Sequence, residues 1–415
     1  MTDSCGCPSY SSISRRSLLR TGAAAGAAGV VTSMVGDVLT ASVFGAERRG
    51  NVLVVVSQRG GVDGLSMVVP HAEAAYYAAR PTTAVAKERL LHRDHTFGLH
   101  PSFAPLSEMW KQGRFAAVHA VGLPAPNRSH FDAMEVVEGA DPGSRERVGW
   151  LNRMIGALRG ESIFEGTALG TNVVPTSLVG PAESVAVAST TAIDTPYADT
   201  ELGDAVRRGL QRLYAGHDDV PRAGQAALEL ARGGKAYAAE AAQPPRHGAA
   251  YPGSSFGRAM ENAASLIRSG LGVRAIAVDS GGWDHHVGLS VNVANGISDL
   301  AASLAAFFRD LGPDASRVTV VTLSEFGRRL AENGASGVDH GYGNAVLVLG
   351  AGVRGGRYYG RWPTLGTAKQ VEGDLAVTTD YRHVLTEILQ SRFASVDTSA
   401  VFPGAGYRRV GFMRR

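Results

Sequence analysis

The residues of this chain best suited to chemistry are oxygen and nitrogen donors that sit at the ends of short apolar runs. Asp284, His285 and His286 stand in SGGWDHHVG, directly after VRAIAV (273–278). Asp63 follows VLVVVS (52–57) in the turn QRGGVDG, and Asn127 and Ser129 follow FAAVHAV (115–121) in NRSHFDAMEVVEG. Glu325 follows VTVVTL (318–323), while Asp339 and His340, in ENGASGVDHGYGN, precede AVLVL (345–349). Carboxylates and imidazoles are the donors that Zn²⁺, Mn²⁺ or Ca²⁺ require. A serine opening a helix beside such an ion is a candidate nucleophile. Taken singly, each has a plainer role: a Gly-Asp turn, an N-cap serine, a structural histidine. Five such connections reaching one edge of a fold point to a functional site instead.

The apolar runs supply that edge. They are rich in β-branched residues and do not alternate, the pattern of strands buried on both faces of a parallel sheet. Between two of them, Val293, Ile297, Leu300, Leu304, Phe307 and Leu311 recur at spacings of three and four, which predicts a helix over 291–311 with one apolar stripe. Strand and helix in alternation predict an α/β fold, a mostly parallel central sheet sandwiched by helices. Such sheets bind ligands beyond the carboxyl ends of their strands. Residues from about 160 to 253, rich in Ala, Gly and Pro with helical pieces near 205–214 and 225–242, read as a cap inserted into the main domain.

Residues 1–46 are expected to form a twin-arginine export signal, with the mature domain spanning 47–415. Arg15-Arg16 precedes the weakly apolar TGAAAGAAGVVTSMVG, and small residues lead to an expected cleavage after Ala46. Gly, Ser and Thr interrupt the run, which argues against a stable membrane span. The expected location is the periplasm or beyond. Both cysteines, Cys5 and Cys7, precede the arginines, so the mature chain has no thiol chemistry and suits a protein exported already folded. A formal net charge of +3 over 415 residues excludes the strongly basic character of a nucleic-acid binder. A redox protein is disfavoured by the lack of cysteine ligands and of a dinucleotide glycine fingerprint.

The segments RGGVDGLSMVVP, LHPSFAPL, NRSHFDAMEVVEG, VGWLNR, GGWDHH, SEFGRRLAENG, DHGYGN, GRWP and FPG resemble, across nearly the whole mature chain, the DUF1501 family of exported bacterial proteins. That family is in turn similar to the alkaline-phosphatase-like fold of phosphatases, sulfatases, phosphodiesterases and phosphomutases. The resemblance implies two metal sites. Asp284, His286 and His340 would hold Zn²⁺ or Mn²⁺, with His285 a spectator and Asp339 a ligand or an orienter of His340. Asp63, Ser129 and Glu325 would form a second site, for Mg²⁺ or Ca²⁺ or left vacant, because Phe326 stands where the pattern has a histidine. Ser129 would be the nucleophile of an in-line displacement at phosphorus or sulfur. Arg59, Arg128 or Arg328 would clamp a non-bridging oxygen. A formylglycine sulfatase is excluded, since the mature chain has neither cysteine nor a Ser-x-Pro-x-Arg frame. The implied activity is hydrolysis of a phosphate or sulfate ester of a small molecule or glycan, and the twin-arginine translocase is the implied partner in export. The alternative is a catalytically silent envelope protein that keeps the fold and at most one metal.

Overall fold

The computed structural model describes residues 50–144, 146–160, 162–189 and 233–414. The expected export signal and the expected helical piece near 205–214 lie outside them, as do residues 225–232, while 233–241 of the helical piece expected near 225–242 is helix. The chain divides into two units, Met1–Ala41 with Ile193–Lys235, and Ser42–Ala192 with Ala236–Arg415. The described residues belong almost entirely to the second.

All five apolar runs are strands of one sheet: β1 (Val52–Gln58), β4 (Phe115–Gly122), β7 (Ala275–Ser280), β8 (Val318–Leu323) and β9 (Asn344–Gly350). Shorter strands extend it, namely β5 (Gly166–Leu169), β6 (Val185–Val187), β10 (Tyr358–Tyr359) and β11 (Thr379–Asp380). β2 (Val68–Val69) and β3 (Gly98–Leu99) form a separate antiparallel pair. The order in the large sheet is β10-β4-β9-β8-β1-β7-β5-β6, with β11 also paired to β4. β1 lies at its centre, parallel to both β7 and β8. β9 runs against both of its neighbours, β4 and β8.

The unbroken apolar runs follow from burial on two sides. Every residue of β1, β8 and β9 is buried. Leu53 and Val55 share a core with helices α1 (His130–Gly139), α2 (Trp150–Leu158) and α5 (Tyr381–Arg392). Val54 and Val56 point to the opposite face by strand alternation and are equally buried. On that face α3 (Ser255–Arg268) packs against β5 and β7, and α4 (Leu289–Leu311) packs against α3. The stripe expected on α4 is its buried face: Val293, Ile297, Leu300, Leu304, Phe307 and Leu311. Leu289–Arg317 is long and apolar enough to cross a membrane, but half of its apolar window is buried in this core.

The expected insertion at about 160–253 needs correction. Its first part is sheet: β5 pairs with β7, and β6 with β5, all parallel. Gly-Thr-Ala-Leu and Val-Ala-Val are too short and too small-sided to stand out as an apolar run.

The turn after β1 requires glycine twice. Gly60 and Gly61 have φ of +116° and +63°, and a Cβ on Gly60 would lie 2.7 Å from the backbone nitrogen of Asp284. A side chain there is both strained and obstructed by backbone. Gly270 has φ of +72° with nothing within 4 Å of its notional Cβ, so Gly270→Ala should cost about 1–2 kcal/mol from backbone strain alone. Gly60→Ala is expected to cost clearly more in denaturant unfolding. Equal losses would show that the turn does not hold the 281–288 loop closely.

Candidate functional site

Strand direction brings the chemistry to one edge. β4, β8, β1 and β7 all point their carboxyl ends the same way, and because β9 is reversed, the segment 324–343 leaves and re-enters the sheet on that same edge. Three connections meet there. The one after β4 delivers His130, the first residue of α1; the one after β7 delivers Asp284 and His286; and 324–343 delivers His340.

His130, Asp284 and His340 form a group that could hold a metal ion. The Nε2 atoms of His130 and His340 are 3.1 Å apart, and those of His286 and His340 are 3.0 Å apart. Asp284 Oδ1 lies 3.0 Å from His286 Nε2, 3.4 Å from His340 Nε2 and 3.7 Å from His130 Nε2. The other ring nitrogen of each histidine faces an oxygen. His130 Nδ1 is 2.8 Å from Glu325 Oε1, His286 Nδ1 is 2.8 Å from Asp339 Oδ1, and His340 Nδ1 is 2.9 Å from the Arg128 carbonyl. Those acceptors fix the proton on Nδ1, so each neutral imidazole presents its Nε2 lone pair to the cluster. Three lone pairs and an anionic oxygen facing one another are the electrostatic arrangement that a cation relieves.

The surroundings hold Asp284 and His340 in their ligating forms. Burial acts to raise the pKa of Asp284, but the hydrogen bond and charge of Arg328 and the nearby His286 and His130 leave it below the usual carboxylate range. Burial lowers the pKa of His340. Hydrogen bonds with His286 and Asn333 hold the Asp339 carboxyl low.

Other expected residues take different places. Asp63 is buried and both of its oxygens accept from Arg80, at 2.5 and 2.9 Å, with Ser66 Oγ donating as well. Ser129 caps α1, its hydroxyl accepting from the Asp132 amide. Glu325 Oε1 accepts from the Gly60 amide at 2.8 Å besides meeting His130, and Oε2 accepts from Ser324. Asp63, Ser129 and Glu325 are therefore each engaged by other protein groups. Phe326 is buried, and its ring centre lies 4.8 Å from those of both His130 and His340. Arg128 pairs with Glu372 and Asp374, and its part in the site is its carbonyl oxygen. Arg328 is buried, and its donors meet Gly61 O, Gly60 O, Val338 O, Trp283 O and Asp284, with Nη1 also 3.4 Å from His286 Nε2. His285 is buried near Trp283 and takes no part in the cluster contacts. Asp339 orients His286, not His340.

His130 is the residue that sequence reasoning missed. It adjoins the serine singled out at the same helix start, and the signal was an imidazole on an edge that already carried two others. Beside it opens a cavity of about 660 Å³, lined among others by Arg59, His130, Phe131, Glu138, Asp284 and Glu325. Arg59 is thus at the site, but it is paired with Glu138 at 2.5 Å and with Asp279 at 3.0 Å. Burial raises the Glu138 pKa, against the opposing pull of Arg59.

Asp63 gives a direct test. Removing one partner of a buried pair costs ~3–5 kcal/mol, so Asp63→Asn should lower unfolding free energy by that order while leaving metal content per folded chain unchanged. Burial acts to raise the Asp63 pKa, yet Arg80 and Ser66 hold it below its ordinary value. Its stabilisation is therefore present above the ordinary carboxylate pKa, about 4, and is lost as pH falls through the lower folded-state value. The gap between parent and variant should shrink in that acid range. Loss of metal from a fully folded Asp63→Asn chain would return Asp63 to the ligand set.

Residues 100–387 match a family model described as Protein of unknown function (DUF1501). No curated protein matches the chain.

Proposed function

This chain belongs to the DUF1501 family, and from that premise we propose that it is an exported hydrolase of a phosphate or sulfate ester, working at a single divalent metal bound by His130, His286, His340 and Asp284. The observation that carries the reading is the approach of His340 Nε2 to the Nε2 atoms of His130 and His286, and of Asp284 Oδ1 to all three, at 3.0–3.7 Å. Zinc–nitrogen bonds of about 2.0–2.1 Å in a tetrahedron put neighbouring ligand atoms about 3.3–3.4 Å apart, which is the spacing among His130, His340 and Asp284, and His286 lies 3.0 Å from both His340 and Asp284. Nitrogen-rich donors favour Zn²⁺ over Mg²⁺ or Ca²⁺.

When bound, such an ion supplies Lewis acidity toward the ester oxygen and lowers the pKa of water. The residues do the rest. Glu325, Asp339 and the Arg128 carbonyl keep the three rings aimed; Arg328 holds Asp284 in place; and the cavity beside His130 admits the substrate. Ser129 is left out of this reading, because its hydroxyl is committed to capping α1, and water is the attacking group.

Metal titration of the purified chain tests it. We expect about one tightly bound zinc ion per chain. Loss of that ion is expected in His130→Ala, and 10- to 100-fold weaker binding in Glu325→Gln. His285→Ala and Ser129→Ala should keep the metal, and Ser129→Ala should keep hydrolysis of aryl phosphate or sulfate esters. Failure to bind metal under any loading condition would favour a silent envelope protein. Loss of hydrolysis in a metal-loaded Ser129→Ala chain would restore the serine nucleophile.

We also infer export through the twin-arginine route, supported by Arg15-Arg16 and the absence of cysteine after Cys7. Replacing both arginines by lysine should leave the precursor in the cytoplasm, as read by fractionation; normal export of that variant would contradict the route.

A further inference from the structure

We propose that the cavity beside the metal cluster takes a singly charged ester bearing an apolar group, a sulfate monoester or a phosphate diester, and discriminates against the doubly charged phosphate monoester. The inference rests on the metal-hydrolase reading and adds the charge and shape of the substrate.

The cavity is already balanced in charge. Its lining carries the carboxylates Glu135, Glu138, Asp284 and Glu325 against the guanidiniums of Arg59 and Arg147. With Arg328 on Asp284 and Asp279 on Arg59 included, five carboxylates face three guanidiniums, and a divalent cation in the cluster offsets the two in excess. Among the described residues, both lining arginines are already paired, Arg59 with Glu138 and Asp279, and Arg147 with Glu135 at 3.2 Å. A single negative charge can lie against the cation. A second would face Glu135 and Glu138, and the guanidiniums nearest it, Arg59 and the exposed Arg147, each already lie against a carboxylate.

The same cavity has an apolar wall. Phe131 follows His130 in the first turn of α1 and is 89% exposed, although it lines the cavity together with the buried Met134. Its ring does little for the fold, and it offers an aromatic face to a substrate group. A volume of about 660 Å³ is enough for a whole small-molecule ester, organic group included.

Three unreactive probes separate the possibilities by calorimetry on the zinc-loaded chain, at a pH above the second pKa of phenylphosphonate. Benzenesulfonate and methyl phenylphosphonate are singly charged, and phenylphosphonate is doubly charged. We expect the single charges to bind on the order of tenfold more tightly. The tighter of those two names sulfur or phosphorus, and either order supports the proposal. Phe131→Ala should weaken both about 3- to 10-fold. Glu135→Gln, at an exposed position, frees Arg147 and should narrow the preference over the dianion. Phenylphosphonate binding as tightly as the monoanions to a zinc-loaded chain would overturn this inference alone, as would unchanged affinity in Phe131→Ala. A chain that takes up no zinc would instead overturn the reading on which the inference rests.

Discussion

The buried guanidinium of Arg328 ties the site together. It donates to the carbonyls of Gly60 and Gly61 in the turn after β1, to Val338 within its own connection, and to Asp284 in the loop after β7. Three separate lengths of chain are thereby referenced to one rigid, always charged, planar group. The glycines it meets are those whose backbone a Cβ would obstruct, so the close approach of these loops and the choice of residue at 60 and 61 are one constraint. Without a fixed Asp284 the imidazoles would have no common anionic neighbour. Arg80 does a related service from the other side, joining Asp63 to the carbonyls of Arg329 and Leu330. The two arginines hold the 324–343 connection against the β1 turn at both Arg328 and its immediate successors.

Ligand and support roles divide cleanly by exposure. Glu325 is almost fully buried, and its carboxylate is engaged by His130, Gly60 and Ser324. Asp284 is half-exposed and lines the cavity, where an ion and a substrate could both reach it. A buried carboxylate that already accepts several hydrogen bonds orients its neighbours better than it ligates. Phe326 fits the same division. It is buried and packs beside two of the imidazole rings, giving the cluster an apolar back.

The reversal of β9 is the topological feature on which the site turns. In a purely parallel sheet the residues entering a strand lie on the edge opposite to those leaving one. Because β9 is antiparallel to β8, His340, just before β9, reaches the same edge as Glu325, just after β8. One twenty-residue connection can then carry a ligand, an orienter of His130, an orienter of His286 and the tethering Arg328.

By itself the sequence determined the α/β class, the five main strands, the α4 stripe and the edge on which the chemistry gathers, because continuous apolar runs and a 3.6-residue stripe are local consequences of burial. It also singled out Asp284, His286 and His340. The small residues of β5 and β6 hid their place in the sheet, since a buried Gly-Thr-Ala-Leu carries no local signature. Only the tertiary structure decided which polar groups on that edge face one another. Asp63 went to Arg80, Ser129 to a helix cap and Glu325 to the back of a histidine, while His130 joined the cluster. The physical reason is that a carboxylate, hydroxyl or imidazole becomes a ligand, a cap or an orienter according to the partner placed within hydrogen-bonding distance, and those partners lie as far as 265 positions away along the chain.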